Sequence, residues 1–212
     1  MHKNILSQRS PFFKAATSGR WNSPDNFKPV EMEDDDPHIF DAYLQAIYQD
    51  TIILDDDGGP APYFEALVRL YAMTDKLCDL RTANLTMDEF MRYSDKLGVI
   101  PTPVLVAFIY EHSSEQSPLR RLMVGYHVLE LSPDGVQGLE PLPQLFPTSF
   151  LKRYLELKKG NHAETVKATF HKVVSKSMPK YEYHQHDDTC PPCEGGGNGE
   201  KAGKGDLVEP ER

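Results

Sequence analysis

The sequence predicts an α/β fold that is predominantly α-helical, and three observations carry that reading. Apolar side chains recur at helical spacing in most of the chain between residues 37 and 130. Four of those or neighbouring stretches open on a capping residue followed by proline: Ser10-Pro11, Asp36-Pro37, Thr102-Pro103 and Ser117-Pro118. One stretch, Phe27–Met32, alternates in the way a strand does, and Thr51–Leu54 reads as a short extended piece. In the first of these Val30 and Met32 share a face, and Pro29 confines the strand to an edge or its start.

Two short helical turns open the chain. Ile5 and Leu6 give the first an apolar face; Ser10 caps the second, which buries Phe12, Phe13 and Ala16. Residues 18–24 form a loop. Asp36 then caps a helix carrying Ile39, Phe40, Tyr43, Leu44, Ile47 and Tyr48, a wide apolar stripe. The acids of Glu31–Asp36 suit the N-terminus of that helix, which leaves little for a metal to explain. Asp55-Asp56-Asp57-Gly58-Gly59-Pro60 reads as a solvated turn.

The next helix runs from about Pro62 to Leu77, with Phe64, Leu67, Val68, Tyr71 and Thr74 inward. Cys78 at its end reads as a small core residue. Asp79 opens a helix burying Ala83, Met87, Phe90, Met91 and Ser94, although Thr86 with Glu89 offers a rival start. Gly98 ends it. Helices from Thr102 and Ser117 follow, then a Pro/Gly-rich linker. Phe150, Leu151, Tyr154 and Leu155 mark a short helix. Asn161 with Glu164 caps a last one bearing Val166, Phe170 and Val173.

Composition bounds what the chain can do. A net charge of −9 argues against an unspecific surface for nucleic acid or anionic membranes, whatever Arg120-Arg121 and Lys152-Arg153 contribute locally. No apolar run is long enough to span a membrane, and the start lacks a signal-peptide core. With three cysteines, these features predict an intracellular protein, cytoplasmic or nuclear and not secreted. Asp187–Arg212 holds seven acidic and three basic residues and no aromatic, a composition that predicts disorder.

No phosphate-binding glycine loop, nucleophile elbow or His-Glu-x-x-His motif occurs, so no catalytic residue and no cofactor are expected. One constellation carries chemistry. His184 and His186, followed by Cys190-Pro191-Pro192-Cys193, supply four ligand types suited to zinc, or a redox cysteine pair. The His-to-Cys spacing is short for a four-ligand site, and no strand–helix context supports redox chemistry. The expectation is therefore a tail with incidental cysteines and no metal. The alternative is a small zinc- or redox-dependent protein built on this run.

The motifs resemble a known family. His2-Lys3, Ile5-Leu6, Arg9-Ser10 and Phe12-Phe13 resemble the opening signature of the BTB/POZ domain. Asp35-Asp36-Pro37 with Phe40 looks like the entry to that domain's third helix, with Ile47-Tyr48 at its Leu-Tyr position. Leu70-Tyr71, Asp75-Lys76-Leu77 and Leu80 resemble the helix that follows. Ile109-Tyr110-Glu111 and Ser117–Leu122 are similar to the continuation in BTB proteins of filamentous fungi.

The resemblance implies a BTB/POZ-like helical cluster with a small residual β-sheet, plus C-terminal helices and a disordered tail. It divides the chain into a BTB/POZ domain over 1–97, a helical extension over 98–132, a linker over 133–147, a helical pair over 148–178 and a disordered tail over 179–212. The family's N-terminal β-hairpin is not seen before His2, so the domain is expected to be truncated, with its upstream side uncovered. The implied function is non-catalytic protein binding: self-association, or docking on a cullin-type ubiquitin-ligase scaffold as an adaptor. The residues carrying the signature are His2, Ile5, Leu6, Ser10, Phe12, Phe13, Asp36, Phe40, Tyr48, Tyr71, Asp75, Lys76 and Leu77. Ile5, Leu6, Phe12 and Phe13 are expected to pack on the helices of residues 37–49 and 62–77.

Overall fold

The computed structural model describes residues 3–18, 29–130, 143, 145–159, 182–188 and 190–193. Among them run eight helices: α1 (Lys3–Arg9), α2 (Pro11–Ala16), α3 (Pro37–Gln49), α4 (Pro60–Lys76), α5 (Leu80–Leu97), α6 (Pro103–His112), α7 (Pro118–Glu130) and α8 (Leu145–Lys159). None is long and apolar enough to cross a membrane.

The starts follow from side-chain chemistry. An N-terminal turn leaves backbone N–H groups without helical partners, and a short polar side chain can accept from them. Ser10 Oγ accepts from Phe13 N, Asp36 Oδ1 from His38 N, and Thr102 Oγ1 from Leu105 N. For α5 the choice falls on Asp79, whose Oδ1 accepts from Thr82 N at 3.0 Å. Thr86 and Glu89 are buried about two and three turns further in, engaged elsewhere. α4 begins at Pro60, two residues before the predicted start, because a first-turn proline lacks only an N–H that would have no helical partner.

α4 lies at the centre. It packs on α3, α5 and α6, while α7 rests on α6 and α8, and α1 meets α2 and α3. The α4 stripe of Phe64, Leu67, Val68, Tyr71 and Thr74 is buried as expected, joined by Tyr63, Leu70 and Met73. Each fully buried large apolar side chain contributes about 1.5–3 kcal/mol, so this one helix supplies much of the hydrophobic stabilisation. One continuous core runs from Leu6 and Phe13 through α3–α5 to Ile109, Leu122, Tyr126, Phe146, Phe150 and Tyr183.

Three expectations change. Among the described residues no strand forms: residues 29–32 carry no ladder, while Phe27 and Lys28 lie outside the described residues, so the small sheet is not found. An alternation of a few residues next to proline is too weak to create an edge without a partner. Cys78 is exposed, because it occupies the left-handed turn between α4 and α5 at φ 56° and points away from the core. Residues 182–188 and 190–193, within the stretch expected to be disordered, lie against α5, with Tyr183 buried in the core. The last predicted helix, around Val166, Phe170 and Val173, falls outside the described residues.

Candidate functional site

The first three helices and the segment before α3 enclose an apolar groove of about 480 Å³. Its walls include Leu6 and Phe13 from the opening helices, Phe40 from α3, and Val30 and Met32 from the extended segment. Phe13 and Phe40 meet with ring centroids 6.4 Å apart, and Phe40 leans on Tyr43. Leu6 and Phe13 are buried, while Ile5 and Phe12 are half-buried against the core. The predicted packing on α3 is present through α1, and the end of α4 is reached by a hydrogen bond from Ser10 Oγ to the Leu77 carbonyl at 2.6 Å.

Beneath the groove lies a polar knot that joins the chain start to the α4–α5 turn. Arg9 donates through Nη2 to Thr82 Oγ1 at 2.9 Å, and its Nε stands 3.6 Å from Asp79 Oδ1, an ion pair beyond hydrogen-bond reach. Tyr43 donates its hydroxyl to Asp79 Oδ2 at 3.2 Å. Burial, reinforced by the Asp79 carboxylate, raises the Tyr43 hydroxyl far above its ordinary range, so it stays a donor at any relevant pH. A buried carboxylate needs such compensation. Asp79 has it from Tyr43, Thr82 and Arg9.

The other signature residues divide by role. Tyr71 and Leu77 are buried, and burial pushes the Tyr71 hydroxyl up to about 12. Asp36 is exposed and caps α3. Asp75 and Lys76 are exposed, with Lys76 Nζ 2.6 Å from Asp35 Oδ2. Tyr48, placed on the apolar stripe by spacing, is 49% exposed. His2 lies outside the described residues.

A second concavity of about 530 Å³ opens between α6, α7, α8 and residues 182–183. It gathers Arg120, Arg121, Lys152 and Arg153, the two basic pairs seen in the sequence, with Glu115, Glu156 and Glu182 among them. Arg153 pairs with Glu156 and Glu182, and Arg121 donates to the Glu182 carbonyl. Such a mixed cleft is poorly suited to a phosphate backbone.

The tail brings together three of the four predicted metal candidates. His184 Nδ1 lies 2.9 Å from Cys193 Sγ, and His186 Nε2 lies 3.6 Å from the same sulfur. Cys190 is separate. It is buried beside Asn84 Nδ2 at 3.4 Å, and burial pushes its thiol up. Both thiols are free. Sequence reasoning missed Asn84 and Asp88 of α5, which hold this segment. A single Asn and a single Asp on a helix carry no pattern that could have revealed them.

The helical body thus carries a buried, hydrogen-bonded opening signature beside an apolar groove. Residues 1–84 match the family model described as BTB/POZ domain, and that match supports a protein-interaction module. The predominantly helical body accords with that match. Comparison with curated proteins and with solved structures finds no match.

Proposed function

We propose that the protein is a non-catalytic interaction module of BTB/POZ type that docks its partner in the groove formed by α1, α2, α3 and residues 29–32. The observation that carries the reading is the coincidence of that groove with the matched segment: all its wall residues fall within residues 1–84. An apolar recess bounded by exposed Val30 suits the buried centre of a protein interface, where aromatic and aliphatic anchors supply most of the affinity. The partner favoured is a second copy of the chain. A cullin-type scaffold of a ubiquitin ligase is the other member of the same class.

Light scattering on the purified chain across micromolar concentrations, together with retention of a purified cullin on the immobilised protein, distinguishes the two. Self-association abolished by Val30→Arg supports the leading form. Cullin retention by a monomer, lost in the same variant, replaces it with the adaptor form. A monomer that retains no cullin, or a complex indifferent to Val30→Arg, overturns the assignment of the groove.

A further inference from the structure

We infer that His184, His186 and Cys193 form a zinc site that fastens the tail to α5. The three ligand atoms lie within 4.8 Å of one another. In a tetrahedral zinc centre with Zn–S near 2.3 Å and Zn–N near 2.05 Å, nitrogen and sulfur ligands stand about 3.5 Å apart. The observed 3.6 Å from His186 Nε2 to Cys193 Sγ meets that spacing, and the 2.9 Å from His184 Nδ1 is reached by a small displacement. Two imidazoles and a thiolate are a donor set for zinc and not for the hard cations, which take oxygen.

The surroundings carry the argument further. His184 turns its other nitrogen, Nε2, to Asp88 Oδ1 at 3.2 Å, so one ring nitrogen points at the sulfur and the other at a carboxylate. A carboxylate behind a histidine in this way fixes the tautomer that presents a lone pair to a metal. His186 has a buried Nδ1 without a hydrogen-bond partner, while its Nε2 faces Cys193. Without a metal, the one sulfur is the shared hydrogen-bond partner of two ring nitrogens that both approach it. A cation satisfies all three atoms at once.

The short spacing that counts against a site in the bare sequence is overcome by the backbone. Asn84 grips Gln185, between the two histidines, with Nδ2 donating to its carbonyl at 2.7 Å and Oδ1 accepting from its N–H at 2.9 Å. Asp187 and Cys190 then close a turn, with Asp187 N donating to the Cys190 carbonyl at 3.1 Å and Cys190 N to Asp187 Oδ1 at 2.9 Å. That turn sends Cys193 back towards the histidines. Cys190 is engaged by Asn84 in holding the turn, so among the described residues three ligands are gathered. Binding releases the Cys193 proton to solvent, and the sulfur enters the site as thiolate.

The test uses the untagged full-length chain grown with added zinc. Metal analysis is expected to give about one zinc per chain in the wild type and in Cys190→Ser, and a loss of at least about tenfold in affinity in Cys193→Ser and His186→Ala. Asp88→Asn is expected to weaken binding without abolishing it. Cobalt added to the metal-stripped chain reports independently of whether the variants fold: a sulfur-to-cobalt absorption band in the wild type and in Cys190→Ser supports the site. Wild-type protein without zinc and without that band overturns it, as does metal retained in Cys193→Ser but lost in Cys190→Ser.

Discussion

Ser10→Ala tests how much of the domain hangs on its opening signature. Ser10 is fully buried and works twice: Oγ accepts from Phe13 N at 3.2 Å and donates to the Leu77 carbonyl at 2.6 Å, 67 residues away. Loss of a helix N-cap costs about 1 kcal/mol. Removing the buried donor from Leu77 adds roughly 1–3 kcal/mol, the desolvation penalty of a buried acceptor that loses a partner. The sum is about 2–4 kcal/mol. For a chain of this size about 2–4 °C accompanies each kcal/mol, so the melting temperature should fall by roughly 5–15 °C. Thr102→Ala is the control, since Thr102 is an exposed cap with one hydrogen bond to Leu105 N. It should cost no more than about 1 kcal/mol. Thermal unfolding followed by circular dichroism gives both values side by side. A Ser10→Ala loss no larger than that of Thr102→Ala would show that the Leu77 contact contributes nothing, and would sink the view that α1–α2 are tied to α4.

Two further outcomes follow from buried polar groups. Tyr63 donates to Glu89 Oε1 at 2.5 Å, and Arg92 holds both oxygens of the same carboxylate, so Tyr63→Phe should cost about 1–3 kcal/mol in denaturant unfolding while the Tyr63–Tyr93 stack stays intact. An unchanged midpoint would mean that Arg92 alone satisfies Glu89. His127 is buried, with Nδ1 donating to the Met123 carbonyl at 2.9 Å and its ring edge-on to Phe146. Burial lowers its pKa, with the Met123 bond opposing. The unfolded chain then binds the proton more readily than the folded one. This group's stability is therefore fully present above about pH 6.5 and declines as pH falls below it. His127→Leu should flatten that part of the stability profile, and an identical acid limb in wild type and variant would exclude His127 as a contributor.

Much of the helical body is legible in the sequence because its start signals are chemical. Ser10, Asp36 and Thr102 each cap the helix that their proline neighbour announces, and each does so by a hydrogen bond that spacing alone suggests. Positions where backbone conformation decides are harder. Cys78 follows an apolar run and so looks like core, yet a left-handed turn there is what lets α5 fold back along α4. Tyr48 continues the α3 stripe one turn beyond the surface that its neighbours cover. The groove is legible only as a set of apolar residues. That Val30 and Met32 form its wall depends on contacts across the chain, which periodicity does not contain. The tail is harder still: its composition reads as disorder, and what orders it is one buried tyrosine and two residues of a distant helix.

The grip of Asn84 on Gln185 spans 101 residues of sequence and falls at the last residue of the matched BTB/POZ segment, in the second turn of α5. The matched segment and the packed core therefore do not share a boundary. A fragment ending at residue 84 would sever a helix and strip cover from the face on which Tyr183 rests. Closing so long a loop is entropically late, and it can proceed only once α5 stands. Within this chain, the order of the tail reports on the integrity of the module that it touches.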